Sequence, residues 1–213
     1  MRTRSRALLA TQHDRSLGEP ILPRHPLPLR RRPADLALLL FFALNLCFIT
    51  YIVDLEQLVV ADPAHFTYPL WPPPPLIDLV HWWGRTFDPL LLARPVWWKV
   101  TIWIDALFFG PFYAVALYAY TRGRAWIRLP SIVYASVLLT IVLVILAEEM
   151  WGPHRSPRLA VVLLANAPWL LCPCYLLVRM TTRPQPFASA PGGDAGRPPT
   201  NGGDALSGAR RRR

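Results

Sequence analysis

The sequence predicts an all-α membrane protein: a bundle of four transmembrane helices with a structured non-cytosolic loop between the first two. Two observations carry this expectation. Of the 213 residues, 53% are hydrophobic, and they gather into four blocks, Leu36 to Val53, Val96 to Tyr120, Leu129 to Ala147 and Leu159 to Val178. Each block is long enough to cross a ~30 Å hydrocarbon core as a helix. The cations behind the net charge of +10 are placed asymmetrically. Arg2, Arg4, Arg6, Arg15, Arg24 and Arg30 to Arg32 precede the first block, Arg122, Arg124 and Arg128 lie between the second and third, and Arg179 and Arg183 follow the fourth. Those segments share one side, which the positive-inside bias makes cytosolic, together with both termini. Arg85, Arg94, Lys99, Arg155 and Arg158 fall on the other side but are interleaved with acids. This placement sets aside nucleic acid as the partner of the positive charge.

Taken in order, residues 1–34 read as a basic, Pro- and Arg-rich cytosolic tail without regular structure. The apolar patch at Ala7 to Ala10 is too short for a signal-peptide core, and Asp14 and Glu19 argue against an organelle transit peptide. Residues 35–180 form the membrane domain, its first span starting directly after Arg30-Arg31-Arg32. The connection from Leu55 to Arg94, about 40 residues, is too long for an unstructured loop. Pro72 to Pro75 stiffen it. Leu76, Leu79, Val80, Trp83 and Phe87 then repeat at helical spacing, predicting an amphipathic helix in the membrane interface, anchored by Trp82 and Trp83. Asp78, His81 and Arg85 fall on its other faces, so His81 is expected at the surface.

The second span begins under Trp97, Trp98 and Lys99, carries Asp105 about two turns further in, and contains Gly110-Pro111, a kink signal. The third holds Tyr134, Ser136 and Thr140 and leaves the membrane at Glu148-Glu149, two acids expected to be solvated. The fourth contains Asn166-Ala167-Pro168-Trp169. Residues 181–213 shift to Pro, Gly, Ala and Ser, end in Arg210 to Arg213, and read as a second cytosolic tail without regular structure. Cys47, Cys172 and Cys174 lie within spans and read as packing residues.

Assigning depth places Asp54, Asp88, Asp105, Glu148 and Glu149 in the non-cytosolic half, with Asn166 and Trp169. A charged acid near the bilayer centre costs ~3 kcal/mol or more, so Asp105 should face the bundle interior. Two carboxylates in one dry site do not both ionise without a cation. Together these residues predict an apolar cavity that accepts an amphipathic or cationic ligand. Taken singly, Asp54 also suits the headgroup level and Asp88 a plain turn. Glycine-rich phosphate loops, zinc spacings and nucleophile elbows are absent from the sequence, and no cofactor or metal is expected.

Val53-Asp54-Leu55-Glu56-Gln57, Phe87-Asp88-Pro89-Leu90-Leu91, Pro95-Val96-Trp97 with Lys99, Gly110-Pro111-Phe112, Trp126-Ile127-Arg128 with Pro130, Tyr134, and Ala167-Pro168-Trp169-Leu170-Leu171 together resemble the EXPERA-domain family. The resemblance runs in order from about Leu36 to Met180 and is strongest toward the family's sigma-2 receptor branch. It implies an endoplasmic-reticulum membrane protein, homodimeric, that binds sterols and cationic amphiphiles and serves cholesterol homeostasis, with a sterol-transport protein as a possible partner. It further implies that Asp54 and Asp88 form the ligand site, one binding an amine and the other supporting it by a hydrogen bond. A family glutamate falls on Asp105, and a family pocket tyrosine on Trp169. The expected ligand-binding set is Asp54, Asp88, Asp105, Tyr134, Thr140, Asn166 and Trp169.

The alternative within the family is a sterol Δ8–Δ7 isomerase, which Asn166 and Trp169 resemble. Its His and Glu would stand in the first span, where this chain offers Asn45, Leu46, Ile49 and Thr50, so a positioned base is missing. A third class is an assembly subunit whose acids only pair between helices.

Overall fold

The structure, a computed structural model, describes residues 27–188. Its described residues are helical and contain no strand. Helix α1 runs over Pro33–Val59, α2 over Pro74–Thr86, α3 over Leu90–Ala93, α4 over Val96–Arg122, α5 over Arg128–Trp151 and α6 over Leu159–Thr182. Four of these, α1, α4, α5 and α6, are long and apolar enough to cross a membrane. A proline at the first helical position opens both α1 and α2, where a missing N–H costs nothing.

Two of the long helices are wound irregularly. In α1 the stretch Asn45–Asp54 is π-helical, and in α4 the stretch Asp105–Phe109 is π-helical immediately before Gly110-Pro111. Asp54 ends the first and Asp105 begins the second. The helices meet there closely, since a Cβ on Gly110 would lie 3.2 Å from Thr50 Cγ2. The bundle pairs α1 with the second half of α4, and α5 with α6 along their length.

The half of the bundle nearest the described ends is solid. Phe42, Phe109, Phe112, Tyr113 and Tyr134 form one buried aromatic cluster, with Phe112 stacked on Tyr134 at 4.2 Å between centroids. Below them the fully buried Asp35 is bound by two arginines: Arg32 Nη1 donates at 2.7 Å, and Arg179 Nη1 donates to the other oxygen. Arg32 also donates to the Tyr120 carbonyl at 3.1 Å. Both guanidiniums sit over the ring of Phe187, itself buried against Tyr120. The Leu27 amide donates to the Phe187 carbonyl at 3.2 Å, so both described ends emerge on one face of the bundle. Packing thus reaches beyond the edges expected at 35 and 180, because Arg32 and Phe187 complete the compensation of Asp35. The rest of the two expected tails, 1–26 and 189–213, lies outside the described residues.

The opposite half is hollow and capped by the long connection. The expected helix in that connection is present, and its Leu79, Val80 and Trp83 line the cavity as the spacing implies, but the most buried stripe is shifted. Ile77, Val80, His81 and Gly84 turn inward, while Leu79 and Trp82 keep exposed surface. Gly84 permits this, because a Cβ there would lie 2.7 Å from Leu92 Cγ. His81 is only 3% exposed, not a surface residue, and its Nε2 lies 2.8 Å from Glu56 Oε1. Arg94 completes the cluster, its Nη2 donating to both Glu56 oxygens at 2.8 and 2.7 Å and its Nη1 to the Val60 carbonyl. These bonds hold Arg94 at a left-handed φ of 47°, a conformation unfavourable for a residue with a side chain. Trp71 Nε1 donates to the Tyr51 carbonyl at 2.7 Å and ties the proline-rich segment back to α1.

Removing one partner of a buried ion pair costs about 3–5 kcal/mol, since the other charge is stranded. Glu56→Gln should therefore lower the thermal unfolding temperature of the detergent-purified protein far more than Asp62→Asn, whose exposed carboxylate meets only exposed His65 and the nearby Ala64 amide. Comparable unfolding temperatures for the two variants would show that the Glu56 cluster does not hold the cap.

Candidate ligand cavity

A cavity of about 420 Å³ occupies the hollow half. Its walls come from α1 (Phe48, Ile49, Val53), α2 (Leu79, Val80, Trp83), α4 (Trp98, Ile102, Phe109), α5 (Leu138, Ile141, Val142, Ile145) and α6 (Ala165, Trp169). Polar groups on this apolar lining are few: Asp54, Asp88, Thr101, Asp105 and Asn166. A pocket of this size and character suits a small apolar molecule with one or two charged or polar points.

Asp54 and Asp105 face each other across the α1–α4 contact, their carboxyls within hydrogen-bonding reach. Asp105 is nearly buried and is held from behind. Thr50 Oγ1 donates to its Oδ2, and the Tyr113 hydroxyl lies 3.3 Å from its Oδ1. Tyr134 donates to the Tyr113 oxygen at 3.3 Å. Asn45 Oδ1 is 3.4 Å from the Tyr113 hydroxyl and accepts a bond from Trp169 Nε1 at 2.8 Å, which fixes the indole in the cavity wall. Two carboxyls in contact need a shared proton or a cation between them. Within the cavity, Asp54 is the member with no other hydrogen bond to the protein among the described residues.

Asp88 lies in the turn between α2 and α3, where it accepts the Leu90 amide at 3.1 Å. Its carboxyl meets Glu149 of α5 rather than Asp54. The hydrogen bond expected between Asp54 and Asp88 is therefore replaced by two separate acid pairs, because the close α1–α4 contact at Gly110 brings Asp105 against Asp54 first. Burial raises the Asp88 carboxyl above the ordinary carboxylate range, against the lowering pull of the Glu149 contact and the Leu90 and Leu91 amides.

Of the seven residues expected at the site, the structure brings Asp54, Asp88, Asp105, Asn166 and Trp169 to the cavity. Tyr134 stands behind it, fully buried, one hydroxyl removed from Asp105. Thr140 faces outward and bonds its own helix at the Ser136 carbonyl, since the inward stripe of α5 runs through Leu138, Val142, Ile145 and Glu149. Glu149, expected to be solvated with Glu148, is on that stripe and only 1% exposed. Glu148 points aside and accepts from the His154 amide at 3.1 Å. The residues not anticipated are Glu149, Thr50, Tyr113 and Asn45, and for Glu149 the helical spacing from Val142 and Ile145 is the signal that identifies it.

The EXPERA (expanded EBP superfamily) profile matches residues 75–180. Sigma intracellular receptor 2 of Xenopus tropicalis is 33% identical over 149 residues, covering 64% of this chain and 82% of the relative. The chain belongs to the EXPERA family. Sigma intracellular receptor 2 of Homo sapiens is 28% identical over 173 residues, covering 74% of this chain and 92% of the relative. The four membrane-crossing helices are those of an EXPERA bundle, and the named relatives are receptors.

A carboxyl whose folded pKa lies above its unfolded value adds stability below the unfolded pKa of ~4 and loses it as pH rises through the folded value. Asp88→Asn should match the parent protein in thermal stability at acidic pH and exceed it at neutral pH. Superimposable pH–stability curves would contradict the raised Asp88 carboxyl.

Proposed function

We propose that this EXPERA protein is a sigma-2-like intracellular membrane receptor whose cavity binds sterols and cationic amphiphiles. The observation that carries this reading is the Asp54–Asp105 pair set in an otherwise apolar cavity of about 420 Å³. An ammonium placed there exchanges its hydration for two carboxylates while its hydrocarbon body meets Phe48, Ile49, Val142 and Trp169. A sterol, with one hydroxyl on a large apolar frame, matches the same distribution of polar points. The distribution of arginines supports placing both termini in the cytosol, and we extend the proposal, on the family resemblance alone, to an endoplasmic-reticulum membrane, a homodimer and a role in sterol homeostasis alongside a sterol-transport protein.

Isomerisation is the second reading, favoured by Asn166 and Trp169 on the cavity wall. It is the weaker one, since Trp169 Nε1 is already bonded to Asn45 and Thr50 is committed to Asp105. The first-span positions where an isomerase carries its His and Glu hold Asn45 and Thr50, neither of which is a base.

Truncating one side of a buried charge pair costs about 2 kcal/mol or more, so Asp54→Asn should weaken binding of a tertiary-amine amphiphile ~30-fold or more. A photoreactive cholesterol probe should be affected far less, and the purified variant should remain folded by thermal melt. Unchanged amine affinity would sink the receptor reading. Loss of dimer with amine binding intact would favour an assembly subunit instead. Incubation with a Δ8-sterol should return it unshifted; product with a Δ7 double bond would make the protein an isomerase.

A further inference from the structure

Glu149 is the single carboxylate, among the described residues, with both oxygens buried and without a donor. Its partner is the carboxyl of Asp88, with the charge of Glu148 beside it, and Asp88 lines the cavity with Glu149 directly behind it. No cation reaches either acid within ion-pair distance among the described residues. The charged groups nearby are engaged elsewhere: Arg94 and His81 on Glu56, His154 beside Glu148, and Arg158 over the ring of Phe87. The site is nonetheless built. Ser156 donates to the Phe87 carbonyl at 2.6 Å and its amide to the Glu149 carbonyl at 3.0 Å, which clamps the α5–α6 turn onto the segment that carries Asp88.

We propose that Asp88 and Glu149 form a second cation subsite at the rim of the cavity, so that the protein takes dibasic amphiphiles. One ammonium would sit on Asp54 and Asp105, the other on Asp88 and Glu149, with the apolar spacer between them on the cavity wall. This rests on the reading that the cavity takes amines. The two pairs stand at different depths. Asp105 lies nine residues inside the α4 end at Val96, and Glu149 two residues inside the α5 end at Trp151. At 1.5 Å of rise per residue Asp105 is about 13 Å along its helix from that end and Glu149 about 3 Å from its own, a difference of roughly 10 Å. Among the described residues no group of three His, Cys, Asp or Glu gathers closely enough to hold a metal ion, so an organic ammonium fits the subsite better than a divalent cation. Trp83 and Trp98, both on the cavity lining, offer aromatic faces to a cation or to the spacer.

The test compares dodecylamine with N-dodecylhexamethylenediamine on the full chain in lipid nanodiscs, with empty nanodiscs as background. The diamine should bind about tenfold or more tightly than the monoamine, a gain of ~1.4 kcal/mol or more. Glu149→Gln should collapse that ratio toward one, and Asp54→Asn should weaken both amines. A parent ratio near one, or a ratio that survives Glu149→Gln, overturns the second subsite while leaving amine binding in place. No binding of either amine by the parent protein overturns the receptor reading along with it. If Glu149→Gln does not purify as a folded protein, Asp88→Asn supplies the same ratio.

Discussion

Carboxylates buried inside a membrane bundle must be compensated, and how each one is compensated organises this molecule. Asp35 is matched by Arg32 and Arg179, and Glu56 by Arg94 and His81. Each of these clusters joins segments far apart in the chain and closes one end of the bundle. The four acids between them, Asp54, Asp105, Asp88 and Glu149, meet no cation among the described residues and pair with one another, Asp105 and Asp88 also accepting bonds from neutral donors. A bundle that satisfies its structural acids with built-in cations and leaves four others without one fits the proposal that a cation enters from outside.

Backbone irregularity serves the same division. A π-helical turn accommodates an extra residue and rotates the next turns of the helix, and such turns recur at functional sites. In α1 and α4 the two π-helical stretches terminate and begin at the facing acids Asp54 and Asp105. Gly110 lets the helices touch there, and Thr50, which would compete for water in a looser contact, instead bonds Asp105 directly. The solid aromatic packing of Phe42, Phe112 and Tyr134 then confines the void to one half of the bundle.

Much of this is legible in the sequence, for reasons that differ by residue. The four crossings follow from hydropathy alone, and Asp105 from the cost of an acid within a span. Asp54, Asp88, Asn166 and Trp169 follow from adding depth. Local periodicity misplaces His81, because its partner Glu56 is 25 residues away and Arg94 is 38 residues from that acid. Thr140 and Glu149 exchange importance once helical phase is added to composition: Ser136 and Thr140 define the outer face of α5, and Leu138, Val142 and Ile145 the inner one. The pairing of Asp88 with Glu149 depends on where the α5–α6 turn lands, and that is set by Ser156 reaching Phe87.

The bond from the Leu27 amide to the Phe187 carbonyl closes the domain almost into a ring. The α4–α5 turn at Gly123 lies on that same face, beside Tyr120, whose carbonyl Arg32 holds. Cutting the chain at Gly123 and joining 187 to 27 by a short linker would give the order α5, α6, α1, α2, α3, α4 with every crossing direction kept. Both new ends would leave from the face that the old ones did. The bundle is thus compatible with circular permutation, a property set by where its ends meet and independent of what the cavity holds.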